Sequence, residues 1–220
     1  MTAEGTHAMV EQEYKLQVTQ PEQFEAVVAA PEIREAATGP ERTVRMVADY
    51  IDTPDLRLLK AGYAYRIRKE GEEWVATVKA DVGEGADDGL HHHREWEAKV
   101  PAPEPDLAVF EDPKLVETLR SLQDGQPLTT LFRVEMVRRI RDLDLGDKTR
   151  VEWAADRGKI LAGEREAPIC EVELELKEGP LGAMEDLVST LRSRYPLQPG
   201  AETKFARGLA LAELHHDGNA

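Results

Sequence analysis

The chain has 220 residues, carries a formal net charge of −15 and contains one cysteine. That length supports a single sizeable core, and the short apolar runs exclude a transmembrane helix. The acidic balance argues against a general nucleic-acid binder, which needs exposed basic surface to neutralise phosphates, but leaves room for a small polyanion in a locally basic cavity.

Met1 to His7 is small and polar and lacks the apolar stretch of a signal peptide. Residues 1–8 therefore read as a disordered extension, and the lone Cys170, which rules out an internal disulfide, fits a reducing cytoplasm. The first strand is Val10 to Val18. It places Glu11, Glu13 and Lys15 on one face and Tyr14, Leu16 and Val18 on the other. Pro21 to Ala29 reads as a short helix with proline in its first turn, and Ala36 to Glu41 as a loop. Arg42 to Asp52 alternates as a long strand, and Leu56 to Lys60 is a helical turn stopped by Gly62. Tyr63–Glu70 and Glu73–Ala80 form a hairpin around Gly71-Glu72. Arg66 and Arg68 share one face of the first arm, and Lys79 lies on the second.

Asp81 to Leu90 is a Gly/Asp-rich loop. His91 to Val100 is a strand with His93, Glu95, Glu97 and Lys99 on one side and Trp96 on the other. A helix from about Asp112 to Leu122 precedes the Arg-rich strand Leu128 to Leu143, in which a bulge would decide which arginines face which way. Thr149–Ala155 and Lys159–Ala162 read as hairpin arms around a turn at Asp156-Arg157-Gly158. The last strand, Ile169 to Lys177, sorts Glu171, Glu173 and Glu175 from Cys170, Val172 and Leu174. Two amphipathic helices follow, about Leu181–Tyr195 and Ala201–Leu214, and 215–220 reads as a disordered tail. With no visible linker, residues 9–214 form one domain.

Acidic pairs at 11/13, 95/97 and 171/173/175, and bases at Lys15, Arg66, Arg68, Lys79 and from Arg133 to Arg141, are sorted by strand rather than scattered. Such faces make sense if the sheet closes: an α+β, mainly antiparallel β-barrel with a charged lumen and helices packed outside. Unpaired buried charges cost several kcal/mol each, so the lumen is expected to be wet, paired and loaded with ligand ions. Arginine and lysine suit phosphate oxygens, and Glu-x-Glu puts two hard oxygen ligands on one side of a strand, suited to Mg²⁺ or Mn²⁺. Adjacent histidines at 91–93 point to opposite faces and read as a solvated strand end, Cys170 sits on the packing side, and Trp74 and Trp96 pack under helices.

These residues resemble the CYTH superfamily of triphosphate tunnel metalloenzymes. The likeness rests on Glu11-x-Glu13-x-Lys15, on Asp52-Thr53-Pro54-Asp55-Leu56 running into Tyr65-Arg66-Ile67-Arg68, and on Thr77-Val78-Lys79. It continues in Arg94-Glu95-Trp96-Glu97, Asp156-Arg157-Gly158, Cys170 to Leu176, and Lys204-Phe205-Ala206-Arg207-Gly208, covering roughly residues 9 to 211. The resemblance implies an eight-stranded tunnel holding a triphosphate. Lys15, Arg66, Arg68, Lys79, Arg138 and Lys204 would bind phosphates. Glu11, Glu13, Glu171 and Glu173 would hold metal ions, supported by Glu95, Glu97 and Asp156. Lys15, Glu173 and Lys204 would be catalytic. Met136 stands where the family usually has threonine, so Arg133 and Arg139 stay open as alternatives to Arg138, and Arg133 is kept among the substrate-binding candidates.

The implied activity is metal-dependent hydrolysis of inorganic tripolyphosphate in the cytoplasm. Thiamine or nucleoside triphosphate hydrolysis, a class IV adenylate cyclase, and a non-catalytic polyphosphate binder are the alternatives, with selectivity expected in loops such as 81–90. The likeness is to the triphosphatase branch sometimes followed by a CHAD domain, which would be a partner if the chain is part of a longer protein.

Overall fold

The computed structural model describes residues 9–80, 88–200 and 202–214. The expected extension (1–8), tail (215–220) and most of the selectivity loop (81–87) lie outside the described residues. Eight strands close on themselves: β1 (Met9–Val18), β2 (Arg42–Asp52), β3 (Tyr63–Glu70), β4 (Glu73–Ala80), β5 (Leu90–Val100), β6 (Thr129–Asp144), β7 (Arg150–Ala162) and β8 (Arg165–Glu178). Their order is β5-β4-β3-β2-β6-β7-β8-β1, and antiparallel pairing of β1 with β5 shuts the ring. A short β9 (Leu197–Pro199) joins the end of β1. The helices are α1 (Phe24–Val28), α2 (Pro31–Ala36), α3 (Arg57–Lys60), α4 (Pro113–Gln123), α5 (Gly182–Arg194) and α6 (Lys204–Leu211).

Period-two alternation sends every second side chain outward, where the helices cover them. Tyr14, Leu16, Trp153, Val172 and Leu174 meet Phe24, Val27, Ile33, Met184 and Leu191 of α1, α2 and α5. On the opposite wall Tyr65, Ile67, Val78 and Trp96 meet Leu58, Leu115 and Leu119 of α3 and α4. Each such side chain contributes roughly 1.5–3 kcal/mol by leaving water. Trp96 also donates through Nε1 to Asp112 (3.1 Å), whose other oxygen caps α4 by accepting from Lys114 N and Leu115 N. A third cluster lies on inward positions: Ala48, Tyr50, Phe132 and Val134 pack against Leu209 of α6. Phe205 joins the stack, its ring 5.6 Å from Tyr50, which is 4.6 Å from Phe132. A Cβ at Gly208 would lie 2.2 Å from the Phe132 ring, so glycine is what lets α6 seat this closely.

Two readings need correction. The supposed turn at Asp156-Arg157-Gly158 is the middle of the unbroken strand β7, paired with β6 and β8 throughout. An Asp and a Gly together signal a turn only when water or local backbone satisfies the acid. Here Arg138 and Lys204 take Asp156, and Gly158 is present because a Cβ there would sit 2.1 Å from the Glu135 carbonyl. The turn falls instead at Gly163, at φ +59. Second, α2 and β9 were not anticipated: Pro31 restarts a helix where a single one was expected to stop. The Asp-Thr-Pro-Asp segment turns out to be structural. Asp52 is buried and accepts from the backbone of Thr53, Leu58 and Leu59 (2.6, 3.0 and 2.9 Å), fixing α3.

Candidate active site

The inward faces enclose a cavity of about 550 Å³. Strand alternation delivers Glu11, Glu13 and Lys15 from β1, Arg66 and Arg68 from β3, Lys79 from β4, His91, His93, Glu95 and Glu97 from β5, Arg138 from β6 and Glu173 from β8, with Lys204 contributed by α6. Val44, Met46, Met136 and Ile140 of β2 and β6 make one side apolar. Opposite charges therefore meet in a confined space, and two lysine-centred clusters dominate it.

In the first, Lys204 Nζ lies 2.8 Å from both Asp156 and Glu173 and contacts Glu171. Arg138 grips Asp156 with two hydrogen bonds, Nε at 2.7 Å and Nη2 at 2.6 Å, and also donates to Glu173. Arg207 reaches Glu171 at 3.4 Å. Burial disfavours every charge here, but the neighbours outweigh it. Asp156, Glu171 and Glu173 hold the Lys204 ammonium well above its ordinary pKa, and Lys204 with Arg138 holds the Glu173 carboxyl well below its own.

In the second, Lys79 Nζ sits 2.6 Å from His93 Nε2, 3.3 Å from Glu11 Oε2 and against Glu95. His93 Nε2 is itself 2.9 Å from Glu11 Oε2. Lys15 pairs with Glu13 at 2.6 Å; burial would raise that carboxyl, yet Lys15, Lys79 and His93 together outweigh it and hold it at about 2. Arg66 approaches Glu95 only to 3.6 Å, and its buried Nε has no hydrogen-bond partner. Arg68 bonds Glu97 at 2.8 Å and contacts Glu70. Burial raises the pKa of Glu97, against the pull of Arg68, and that of Glu175, against the pull of Lys177.

The candidates thus converge, with one exception. Arg133 faces outward and pairs with Asp49 at 2.7 Å. The register shift in β6 pairs Tyr50 with Phe132 and Ile51 with Thr130, ahead of all these arginines, so the alternation from Arg133 onward is unbroken and only Arg138 enters the cavity. Arg139 and Arg141 bind Glu41 outside. The expectation of a solvated histidine end is also corrected: His92 is exposed, but His91 and His93 are buried, and His91 Nε2 lies 3.0 Å from the Gly200 carbonyl. Their shared parity with Glu95 was the available signal. Two groups bring their donor atoms within 4.8 Å of one another, as a cation requires: Glu11–His93–Glu95 and Asp156–Glu171–Glu173.

The family model of the CYTH domain matches residues 9–209. An inorganic triphosphatase of Haemophilus influenzae is 32% identical over 162 residues, 74% of this chain and 44% of its own length, so the match spans less than half of that relative. Among solved structures, a Hippeastrum protein first assigned as an adenylyl cyclase and described as having a dominant triphosphatase activity superposes with a TM-score of 0.64 at 18% identity, over 91% of this chain and 95% of its own. A Bacillus halodurans protein described as an adenylate cyclase gives 0.57 at 19%, over 90% and 97%. At these identities the two structures are alike in fold.

Proposed function

The chain belongs to the CYTH domain family, and on that premise we propose that it is a metal-dependent triphosphatase whose substrate is inorganic tripolyphosphate. The observation that carries the reading is Arg66. Its Nε is a buried donor without a partner, on the inner wall between Arg68 and Lys79, where an anion's oxygen would satisfy it. A cavity with Lys15, Arg66, Arg68, Lys79, Arg138 and Lys204 on its inner faces suits a highly charged, compact anion, and the 32% identical inorganic triphosphatase supports that choice.

In this reading Arg66, Arg68 and Lys79 bind the non-bridging phosphate oxygens. Lys15 and Lys204 stay beside the charge that develops as water attacks the terminal phosphorus and diphosphate leaves. Arg138 holds Glu173 and Asp156 in place for that step. The acid groups match a divalent cation: Glu11, Glu13, Glu95 and Glu97 would hold Mg²⁺ or Mn²⁺, and Asp156, Glu171 and Glu173, engaged by Lys204 and Arg138, would orient it from the other side. Such an ion supplies Lewis-acid neutralisation of phosphate charge. The rest of catalysis is positioning and electrostatics in a site already organised.

The reading places the protein in the cytoplasm with a small polyanion as its ligand rather than a nucleic acid. Among the described residues no helix is long and apolar enough to cross a membrane. A CHAD domain would be the natural companion if the chain is part of a longer protein. The apolar side formed by Val44, Met46, Met136 and Ile140 favours a second reading, an organic triphosphate such as a thiamine or nucleoside triphosphate. Phosphate release measured in parallel from tripolyphosphate, ATP and thiamine triphosphate, with Mg²⁺, Mn²⁺ or chelator, decides. Release from tripolyphosphate alone, abolished by chelator, is expected. Preference for an organic substrate selects the second reading, and binding without any release leaves a polyphosphate-binding module.

A further inference from the structure

Among the described residues two groups could hold a cation, and one of them contains a nitrogen ligand. We infer that His93 is itself a metal ligand, so that Glu11, His93 and Glu95 form a mixed nitrogen–oxygen divalent-cation site that favours Mn²⁺ over Mg²⁺; this rests on the metal-dependent reading above. The geometry around Nε2 is the first reason. It lies 2.6 Å from Lys79 Nζ and 2.9 Å from Glu11 Oε2. One ring nitrogen offers either a proton or a lone pair, so it cannot serve both neighbours. As a donor to Glu11 it faces an ammonium; as an acceptor from Lys79 it turns its lone pair on a carboxylate. A divalent cation resolves the conflict, because it takes the lone pair and the carboxylate oxygen together.

The second reason is Glu95. It is only 6% exposed, and its Oε2 lies against the Lys79 ammonium and 3.5 Å from His93 Nε2. A carboxylate buried this deeply needs a cation beside it, and its oxygen faces the space that Glu11 and His93 share. The Lys79 ammonium already occupies that space, touching all three ligand residues as a cation would. The cluster behaves as a cation site in which a lysine competes with an external ion. The imidazole then sets the preference. Mg²⁺ demands hard oxygen ligands and dehydrates reluctantly, whereas first-row transition ions accept imidazole readily.

The test is pulsed EPR on the full chain with Mn²⁺ alone and again with Mn²⁺ plus diphosphate. Nitrogen modulation of the bound Mn²⁺ is expected in the wild type, retained in His92→Gln, whose exposed ring lies beside Gln12 and outside the cation group, and lost in His93→Gln. Titration of the same proteins should show His93→Gln weakening Mn²⁺ by at least about tenfold, the scale on which even outer partners of a metal act, with Mg²⁺ changed much less. Bound Mn²⁺ without nitrogen modulation in the wild type overturns the inference, as does modulation that survives in His93→Gln, or no Mn²⁺ binding in either condition. The wild-type spectrum stands even if the variant fails to fold. Phosphate release from tripolyphosphate is read separately. Activity without nitrogen modulation sinks this inference and leaves the triphosphatase, while modulation without activity does the reverse.

Discussion

Lys204 and Lys79 end in neighbouring nests of carboxylates within one cavity, and the nests are finished to different degrees. Around Lys204, the carboxylates of Asp156, Glu171 and Glu173 face the cations of Lys204, Arg138 and Arg207, and Arg138 binds Asp156 bidentately. Around Lys79, a histidine nitrogen faces two incompatible neighbours, one ammonium is shared by Glu11 and Glu95, and Arg66 stands off at 3.6 Å with its Nε unbonded. Buried charge is tolerated when every lone pair and proton is used, and it is costly otherwise. The first nest therefore reads as a socket that fixes α6 to the barrel, and the second as a place prepared for something that arrives.

The sharpest way to break that contrast is Lys204→Met. It leaves three buried carboxylates with two guanidiniums, and removing one partner of a buried ion pair costs about 3–5 kcal/mol. Urea denaturation should show that loss, and Asp156→Asn on the same background should recover part of it. An unchanged midpoint would mean that water enters the socket and that the nest is no more complete than its neighbour.

A smaller and reversible effect is expected at the other lysine. Lys79→Met leaves Glu11 and Glu95 without their ammonium, at a cost of about 1–3 kcal/mol. It also removes the competitor for a divalent ion, so Mn²⁺ at about 100 times its Kd should restore roughly 2.7 kcal/mol. The same ion should do little for Lys204→Met, because Arg138 still covers both Asp156 oxygens and one from Glu173. Thermal unfolding of both variants with and without Mn²⁺ makes the comparison. Equal rescue of the two would erase the distinction between socket and site.

The difference between the nests was only half visible in the chain. Alternation alone placed Glu11, Glu13, Lys15, Arg66, Arg68 and Lys79 on common faces, because a strand's period is fixed at two and needs no tertiary knowledge. What the alternation cannot supply is which strand lies beside which. His93 shares the Glu95 face, but nothing local shows that β1 pairs with β5 and buries it. Asp156 looked like a turn residue because its partners, Arg138 and Lys204, are far away in sequence. Parity alone does not decide between Arg133 and Arg138, because it counts only from a known bulge, and the bulge's place is fixed by the β2–β6 register.

The outer side of β6 offers the mildest test, because Arg139 is adjacent to Arg138 and differs mainly in lying outside the barrel wall. Arg139 and Arg141 converge on Glu41, with the closest contacts at 2.7 and 2.9 Å. Burial would raise that carboxyl, but the hydrogen bonds from both arginines outweigh it and hold the carboxyl below its ordinary 4.5. A depressed folded pKa contributes stability that is present above the unfolded value and lost as pH falls through the folded one. Glu41→Gln should therefore cost at most about 1 kcal/mol near neutrality, since water and salt screen a surface group. The gap between variant and wild type should close below pH 4.5 as the wild-type carboxyl protonates. Denaturation midpoints at neutral and acid pH measure it. A gap that persists in acid would show that the side chain acts through packing, and that the outer arginines, unlike Arg138, owe little to charge.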